Sequence, residues 1–278
     1  MLGISPKLLA LTVVAFAFAA SAQAADCGDS PEGFKAWLDG FKQVAINDGG
    51  ISPEVVDSAL ATATFDRTVL SHDRGQGSWQ GAKQSNFAAF AAAHITAGRI
   101  KRGKAMLLAY AEPLERIEQR YGVPGPVLVA IWGLETDYGS GLGTYPTFSA
   151  LATLAYDCRR ADLYRAELID ALMIVQRGLL TPEEMRGAWA GELGQTQFMP
   201  SAYLRYGVSS NGGREVDLMR NSADVLASTA NFLQKKGWKR EAKWDPGDPN
   251  FAALLEWNAA EVYARTIAQF ADRLSESE

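Results

Sequence analysis

Cysteine and histidine are scarce in this sequence, which contains two residues of each type among 278. Two cysteines are too few for a small scaffold built on disulfides. Neither His72 nor His94 lies in a recognisable nucleophile motif, which disfavours a catalytic cysteine enzyme. The shortage of ligating side chains also excludes metal-rich chemistry, so we expect no metal and no cofactor.

Positive charge in excess is also missing, because 27 Lys and Arg face 32 Asp and Glu and leave a formal net charge of −5. This balance disfavours a nucleic-acid binder. With 47% hydrophobic and 21% charged residues, the chain is neither disordered nor fibrous. At about 100–200 residues per domain, it forms one large domain or two small ones.

Long apolar runs are limited to one, between Leu8 and Ala20. It follows Lys7 and precedes Ala22-Gln23-Ala24, a pattern that predicts a secretory signal peptide over residues 1–24. The run is shorter than the ~20 residues of a spanning helix. Asp26 precedes Cys27 and is unsuited to a lipidation signal, so we expect a soluble periplasmic protein.

Export would place Cys27 and Cys158 in an oxidising space, where a pair of cysteines tends to form a disulfide. The sequence therefore favours a bridge between them, and two unrelated thiols remain the alternative.

Helical periodicity dominates the chain after the apolar run, and sustained alternation of β-branched residues is lacking. The fold class is therefore predicted to be mainly α. Helices are expected from Pro31 and Pro53 onward and over residues 99–121, 125–136, 147–156, 160–177, 200–206, 222–236 and 257–274. Glycine and proline predict loops over 66–84, 139–146 and 239–250.

Glu135 occupies an unusual position, because it is four residues after Ile131 and seven after Leu128 and so continues the apolar stripe of its helix. Burial raises the pKa of a carboxyl, and a glutamate shifted in this way can act as a general acid near neutral pH. A glutamate emerging at a helix end, or paired with an arginine, is the alternative interpretation.

Residues 187–201, GAWAGELGQTQFMPS, combine small side chains with Gln195 and Gln197. The small residues allow close backbone approach, and the amides suit hydroxyl and acetamido groups. A tight helix crossing with solvent-facing glutamines explains the composition equally well.

Together these residues resemble a known family. The motif GLETDYG at 133–139, ALATL at 150–154, Arg159-Arg160, the 187–201 segment, and Ala230-Asn231-Phe232 with Gly237-Trp238 are similar to B-type lytic murein transglycosylases, glycoside hydrolase family 103. The resemblance covers about residues 30–275. It implies a lysozyme-like catalytic domain with additional helices around a cleft.

The resemblance also implies a reaction. Enzymes of this family cleave the β-1,4 bond between N-acetylmuramic acid and N-acetylglucosamine without water and leave a 1,6-anhydromuramoyl end. Glu135 matches the family's single catalytic glutamate, which acts first as acid and then as base. The family pattern assigns substrate binding to Gln197, Phe198, Arg159, Arg160, Phe232, Trp257, Asn258 and Tyr263. Core packing of the aromatic residues and a surface ion pair of the arginines remain alternatives.

The resemblance suggests three parts in the exported chain of residues 25–278: an N-terminal helical part over about 30–120, a lysozyme-like core over 121–240 and a C-terminal helical closure over 241–278. Peptidoglycan strands are the expected partner of a monomeric enzyme, and cell-wall synthesis or secretion complexes are further candidates.

Two other functions stay open. A hydrolytic muramidase could use Asp137 as its second carboxylate, although side chains two apart on a helix point to different sides. A catalytically silent peptidoglycan-binding scaffold is the alternative from another functional class.

Overall fold

The computed structural model describes residues 27–82, 86–213 and 215–276. The predicted signal peptide, residues 1–24, lies outside the described residues. Thirteen helices and one short two-stranded ribbon form the described part: α1 (Pro31–Asn47), α2 (Pro53–Leu60), α3 (Arg67–Ala82), α4 (Phe87–His94), α5 (Ala97–Ala109), α6 (Ala111–Tyr121), α7 (Gly125–Thr136), β1 (Tyr145–Pro146), α8 (Thr147–Tyr156), α9 (Ala161–Gln176), β2 (Arg186–Gly187), α10 (Pro200–Tyr206), α11 (Ser222–Lys235), α12 (Phe251–Trp257) and α13 (Glu261–Ser275). The prediction of a mainly α fold is confirmed.

Helix α7 is the centre of the core. Its residues from Val127 to Trp132 are all buried, and a helix that is apolar on every side belongs in a protein interior. Helices α5, α6, α11 and α13 pack around it. The helix ends at Thr136, because the next residue, Asp137, has a left-handed backbone (φ 52°) that stops the helical hydrogen-bond pattern. Glu135 therefore stands in the last turn of the most buried helix.

A second layer is formed by α8, α9 and the ribbon of β1 and β2, which lead into the 187–201 segment. Helix α8 is buried along its whole length and packs on α9. Strands β1 and β2 pair antiparallel, with Tyr145 opposite Gly187. A Cβ added at Gly187 would overlap the carbonyl oxygen of Glu192, so this position requires glycine for close backbone approach.

Cys27 and Cys158 form a disulfide that joins the first described residue to the end of α8. A backbone hydrogen bond joins the same two segments, because Gly28 N donates to the carbonyl oxygen of Tyr156 over 2.9 Å. The start of the described chain is thereby held against the second layer.

Three local predictions were wrong. The segment 66–84 was expected as a loop because of its glycines, but α3 occupies most of it. Asp66 starts this helix by accepting hydrogen bonds from the backbone amides of Thr68 and Val69, and the Val69 side chain is fully buried.

The helix predicted over 99–121 is two helices. Pro113 explains the break, because the ring of a proline inside a helix clashes with the carbonyl group four residues earlier, here that of Ala109.

The helix predicted over 257–274 also differs from the structure. Helix α12 ends at Trp257, and α13 begins only at Glu261. Asn258 separates them with an extended backbone, and its side-chain oxygen accepts from the amide of Ala260 in a local turn. Helix α4 lies outside every predicted helix.

Among the residues that the structure describes, none of the helices combines the length and apolar character needed to cross a membrane.

Candidate active site

Two hydrogen bonds hold the carboxyl of Glu135. Trp257 donates from Nε1 and Tyr263 donates from its hydroxyl, each over 2.9 Å and both to the same atom, Oε1. These donors come from the end of α12 and the start of α13, more than 120 residues along the chain from Glu135. The C-terminal helices therefore complete the surroundings of the glutamate in the last turn of α7.

The pKa of Glu135 is raised to about 7, mainly because burial disfavours the charged carboxylate. The hydrogen bonds from Trp257 and Tyr263 act in the opposite direction, and the nearby carboxyl of Glu192 adds a smaller upward contribution. Burial and the Glu135 charge raise the pKa of the Tyr263 hydroxyl well above its usual range, so Tyr263 remains a donor. Glu135 can therefore be protonated near neutral pH and still release its proton.

A cleft of about 390 Å³ opens beside Glu135. We call it the Glu135 cleft. Its lining is made by Glu135, Ala188, Glu192, Thr196, Gln197, Phe198, Met199, Ala202, Phe232, Glu256, Trp257 and Asn258. Six residues of the predicted site are among them, and Tyr263 joins through its hydrogen bond. Residues from α7, from the 187–201 segment, and from α11 and α12 thus meet at one place.

The aromatic residues of the cleft serve different purposes. Phe198 and Phe232 are 3% and 9% exposed, and both pack edge-on against Trp257 with ring centres 5.4 and 5.0 Å away. Both phenylalanines therefore support Trp257 and offer the cleft little surface of their own, whereas Trp257 is only partly buried.

Gln197 is fixed by its own turn. Its backbone is left-handed (φ 54°), and its side-chain nitrogen Nε2 donates to the carbonyl oxygens of Gly194 and Leu142 over 2.9 and 3.3 Å. A polar amide is thus held rigidly at the cleft wall.

Arg159 and Arg160 do not line the Glu135 cleft. Both guanidinium groups pair with Asp73 of α3, whose side chain is 1% exposed. Arg160 also lies over the ring of Tyr164, 5.0 Å from its centre. The two guanidinium groups share this one carboxylate, and their side chains remain 42% and 33% exposed.

Sequence reasoning missed Glu192. It lines the Glu135 cleft, and burial raises the pKa of its carboxyl. Its Oε2 accepts from the amide of Ala190 over 3.2 Å. A signal was available, because Glu192 is the one charged residue in the segment 187–201. Asp73 was missed as well, since its segment was interpreted as a loop.

Asp137 is poorly suited to be a second catalytic carboxylate. Arg102 and Arg99 both pair with it, and these contacts hold the pKa of its carboxyl below the usual range. Asp137 therefore stays charged and engaged with α5.

The described residues contain no group of three or more His, Cys, Asp or Glu side chains placed to hold a metal ion. The carboxylate of the buried residue Asp224 accepts hydrogen bonds from the backbone amides of Ser210 and Asp217.

Comparison with known families identifies the family of this chain. A family model described as a transglycosylase SLT domain matches residues 33–247. The chain belongs to the transglycosylase SLT family. The matched range contains Glu135, the 187–201 segment and Phe232, whereas Trp257 and Tyr263 lie beyond it.

Individual relatives confirm the resemblance of this SLT-family chain to B-type enzymes. The membrane-bound lytic murein transglycosylase B of Escherichia coli K12 is 34% identical over 145 residues, which are 52% of this chain. The match spans only 40% of that curated relative.

Solved structures share the fold. SltB3 from Pseudomonas aeruginosa, in complex with NAG-NAM-pentapeptide, has a TM-score of 0.79 at 28% identity and covers 88% of this chain and 80% of its own. Escherichia coli Slt35 in complex with bulgecin A has a TM-score of 0.75 at 23% identity, covering 86% and 92%. The predicted lysozyme-like transglycosylase fold is confirmed.

Proposed function

We propose that this SLT-family protein is a peptidoglycan lytic transglycosylase that uses Glu135 as its single acid and base. It would cleave the β-1,4 bond between N-acetylmuramic acid and N-acetylglucosamine and leave a 1,6-anhydromuramoyl end. The observation that carries the proposal is the partly buried Glu135 carboxyl, held at a cleft by two donors. The activity for which the Escherichia coli relative is named, and the peptidoglycan fragment bound to SltB3, support the same reaction class.

The reaction can be written with one carboxyl. Protonated Glu135 gives its proton to the glycosidic oxygen, and the bond from that oxygen to the anomeric carbon breaks. The carboxylate then takes the proton of the muramoyl 6-hydroxyl, whose oxygen forms the new bond to the same carbon. No water enters, and Glu135 returns to its protonated state. Trp257 and Tyr263 stabilise the carboxylate between the two steps.

Substrate contacts follow from the lining of the Glu135 cleft. Gln197 and Asn258 supply amides for the hydroxyl and acetamido groups, and Trp257 supplies an aromatic face supported by Phe198 and Phe232. Arg159 and Arg160 are proposed to meet stem-peptide carboxylates through the parts of their side chains that remain exposed beside Asp73.

The location of the protein is part of the proposal. A disulfide between Cys27 and Cys158 suits an oxidising compartment, as does the predicted signal peptide. We therefore propose that the protein acts in the periplasm on peptidoglycan strands as a monomer, with the three-part organisation outlined from the sequence.

The mass of the products tests the proposed reaction. Digestion of purified peptidoglycan should release fragments one water lighter than those made by a muramidase. Mass spectrometry of the fragments, with a known hydrolytic muramidase as control, measures the difference. Fragments of hydrolytic mass alone would refute the lytic mechanism.

One observation favours hydrolysis as the second candidate function. Glu192 places another carboxyl at the Glu135 cleft, and hydrolytic glycosidases use two such groups. The same mass measurement separates the two candidates.

The pH dependence of cleavage gives a further prediction. The first step needs protonated Glu135, so kcat/KM should fall as pH rises through about 7. Removing the negative charge of Glu192 lowers the pKa of Glu135, and Glu192→Gln should therefore move this descending limb to lower pH. The exposed Glu115→Gln is a matched control and should leave the limb in place. A limb that is unchanged in Glu192→Gln would contradict the electrostatic coupling.

A further inference from the structure

Three aromatic rings form a cluster outside the Glu135 cleft. His72 of α3 stacks on Trp189 with ring centres 5.8 Å apart and an angle of 29° between the planes. Its Nε2 lies 3.1 Å from the hydroxyl of Tyr145 in β1. We call these three residues the aromatic platform. The hydrogen bond and the stacking hold the rings in fixed relative positions.

The aromatic platform is unlike the aromatic core of the protein. In the core cluster, Phe34, Trp37 and Tyr156 pack together and are each at most 6% exposed. By contrast, His72 is exposed, and Tyr145 and Trp189 are only partly buried. Ordered aromatic rings that remain open to solvent are typical of binding surfaces.

The platform is continuous with the Glu135 cleft. Ala188, the residue before Trp189, lines the cleft, and Gly187 pairs with Tyr145 in the ribbon. The amide of Ala188 donates to the carbonyl oxygen of Glu192 over 3.1 Å, which fixes this short segment. One short piece of backbone thus carries a residue of the cleft lining and Trp189 of the platform, so a glycan strand that extends from the cleft along this segment meets Trp189.

The chemistry of the platform suits a sugar ring. Aromatic faces pack against the C–H face of a pyranose, while the His72 ring and the Tyr145 hydroxyl can bond to hydroxyl or acetamido groups. Asp73, the neighbour of His72, is the carboxylate that holds Arg159 and Arg160. Two partly exposed guanidinium groups are therefore held by the residue next to His72, where they can attract the carboxylates of a muramoyl unit.

We propose that His72, Tyr145 and Trp189 bind an N-acetylated hexopyranose of the glycan strand beyond the two sugars at the cleaved bond. The inference rests on the proposed function. The platform adds affinity for long strands and takes no part in bond cleavage.

The test compares two probes with the full-length protein. One probe is a set of long peptidoglycan glycan strands, and the other is a short tetrasaccharide of the same sugars. Trp189→Ala and His72→Ala should raise KM for long strands by about 3- to 10-fold, the range expected for one aromatic contact, with kcat unchanged. KM for the tetrasaccharide should stay as in the wild type. Trp189→Phe keeps an aromatic face and should retain most of the affinity.

A matched control is Leu163→Ala, which removes another exposed large apolar side chain and should affect neither probe. Thermal unfolding of each variant verifies folding, and His72→Ala and Trp189→Phe still decide the question if Trp189→Ala fails to fold. Equal KM ratios for the two probes in wild type and variants would overturn the platform alone. A wild type that cleaves neither probe would overturn the proposed function.

Discussion

Glu135→Gln is expected to lower the rate of glycan cleavage by about 10²–10⁴-fold, the usual contribution of a general acid and base. The reason is that a glutamine amide has no proton to give to the glycosidic oxygen and cannot accept one from the 6-hydroxyl. Release of soluble fragments from purified peptidoglycan, followed over time, measures the loss. If the variant kept wild-type activity, neither the proposed mechanism nor Glu135 as the catalytic group would stand.

The variant carries its own structural control. A glutamine has the shape of glutamate, and its amide oxygen can accept the hydrogen bonds that Trp257 and Tyr263 now give to Oε1. The fold should therefore survive. Loss of activity with retained binding of glycan strands would also exclude the silent scaffold, because only a catalyst has an activity to lose.

Unfolding of the same variant should depend on pH in a defined direction. The pKa of Glu135 is raised in the folded state, so its contribution to stability is greatest below its unfolded value of about 4.3 and declines as pH rises to about 7. Glutamine does not titrate. Relative to the wild type, Glu135→Gln should thus gain stability as pH rises from about 4 to about 7, with little further change above that range.

Removal of the disulfide is the second change with a large expected effect. Cys27 and Cys158 are 131 positions apart, and on the chain-entropy model a loop of that size is worth about 5 kcal/mol. Cys27→Ser with Cys158→Ser should lower the melting temperature by about 10–20 °C. Thermal unfolding followed by circular dichroism measures the shift.

A control for this prediction is wild-type protein kept reduced, which should melt like the double variant. A shift below about 2 °C would indicate that the unfolded chain gains little freedom when the bridge is lost. At temperatures well below its melting temperature, the double variant should keep most of the wild-type activity, because neither cysteine lines the Glu135 cleft.

Glu135 could be found from the sequence because a charged residue on an apolar helical stripe violates the pattern that buries the helix. The helices with clear periodicity were also predictable, as α7, α8 and α11 demonstrate. Each of these predictions depends only on residues that lie within a few positions of one another along the chain.

Interactions between distant residues were not predictable in this way. Helix α3 contains glycines that favour a loop locally, but its Asp73 is held by Arg159 and Arg160, which are 86 and 87 positions away. The hydrogen bond from Trp257 to Glu135 spans 122 positions. Local periodicity carries no information about such pairs, because only the packed fold brings them together.

The two oxygens of the Glu135 carboxyl are unequal. A tryptophan ring nitrogen can only donate, so Oε1, which Trp257 and Tyr263 both reach, must act as the acceptor and the acidic proton must reside on Oε2. In the proposed reaction, that one atom therefore both gives the proton and receives the next one. The departing sugar oxygen has to move away from Oε2 before the 6-hydroxyl can reach it. The hydrogen bonds from Trp257 and Tyr263 to Oε1 therefore require the two proton transfers to occur one after the other.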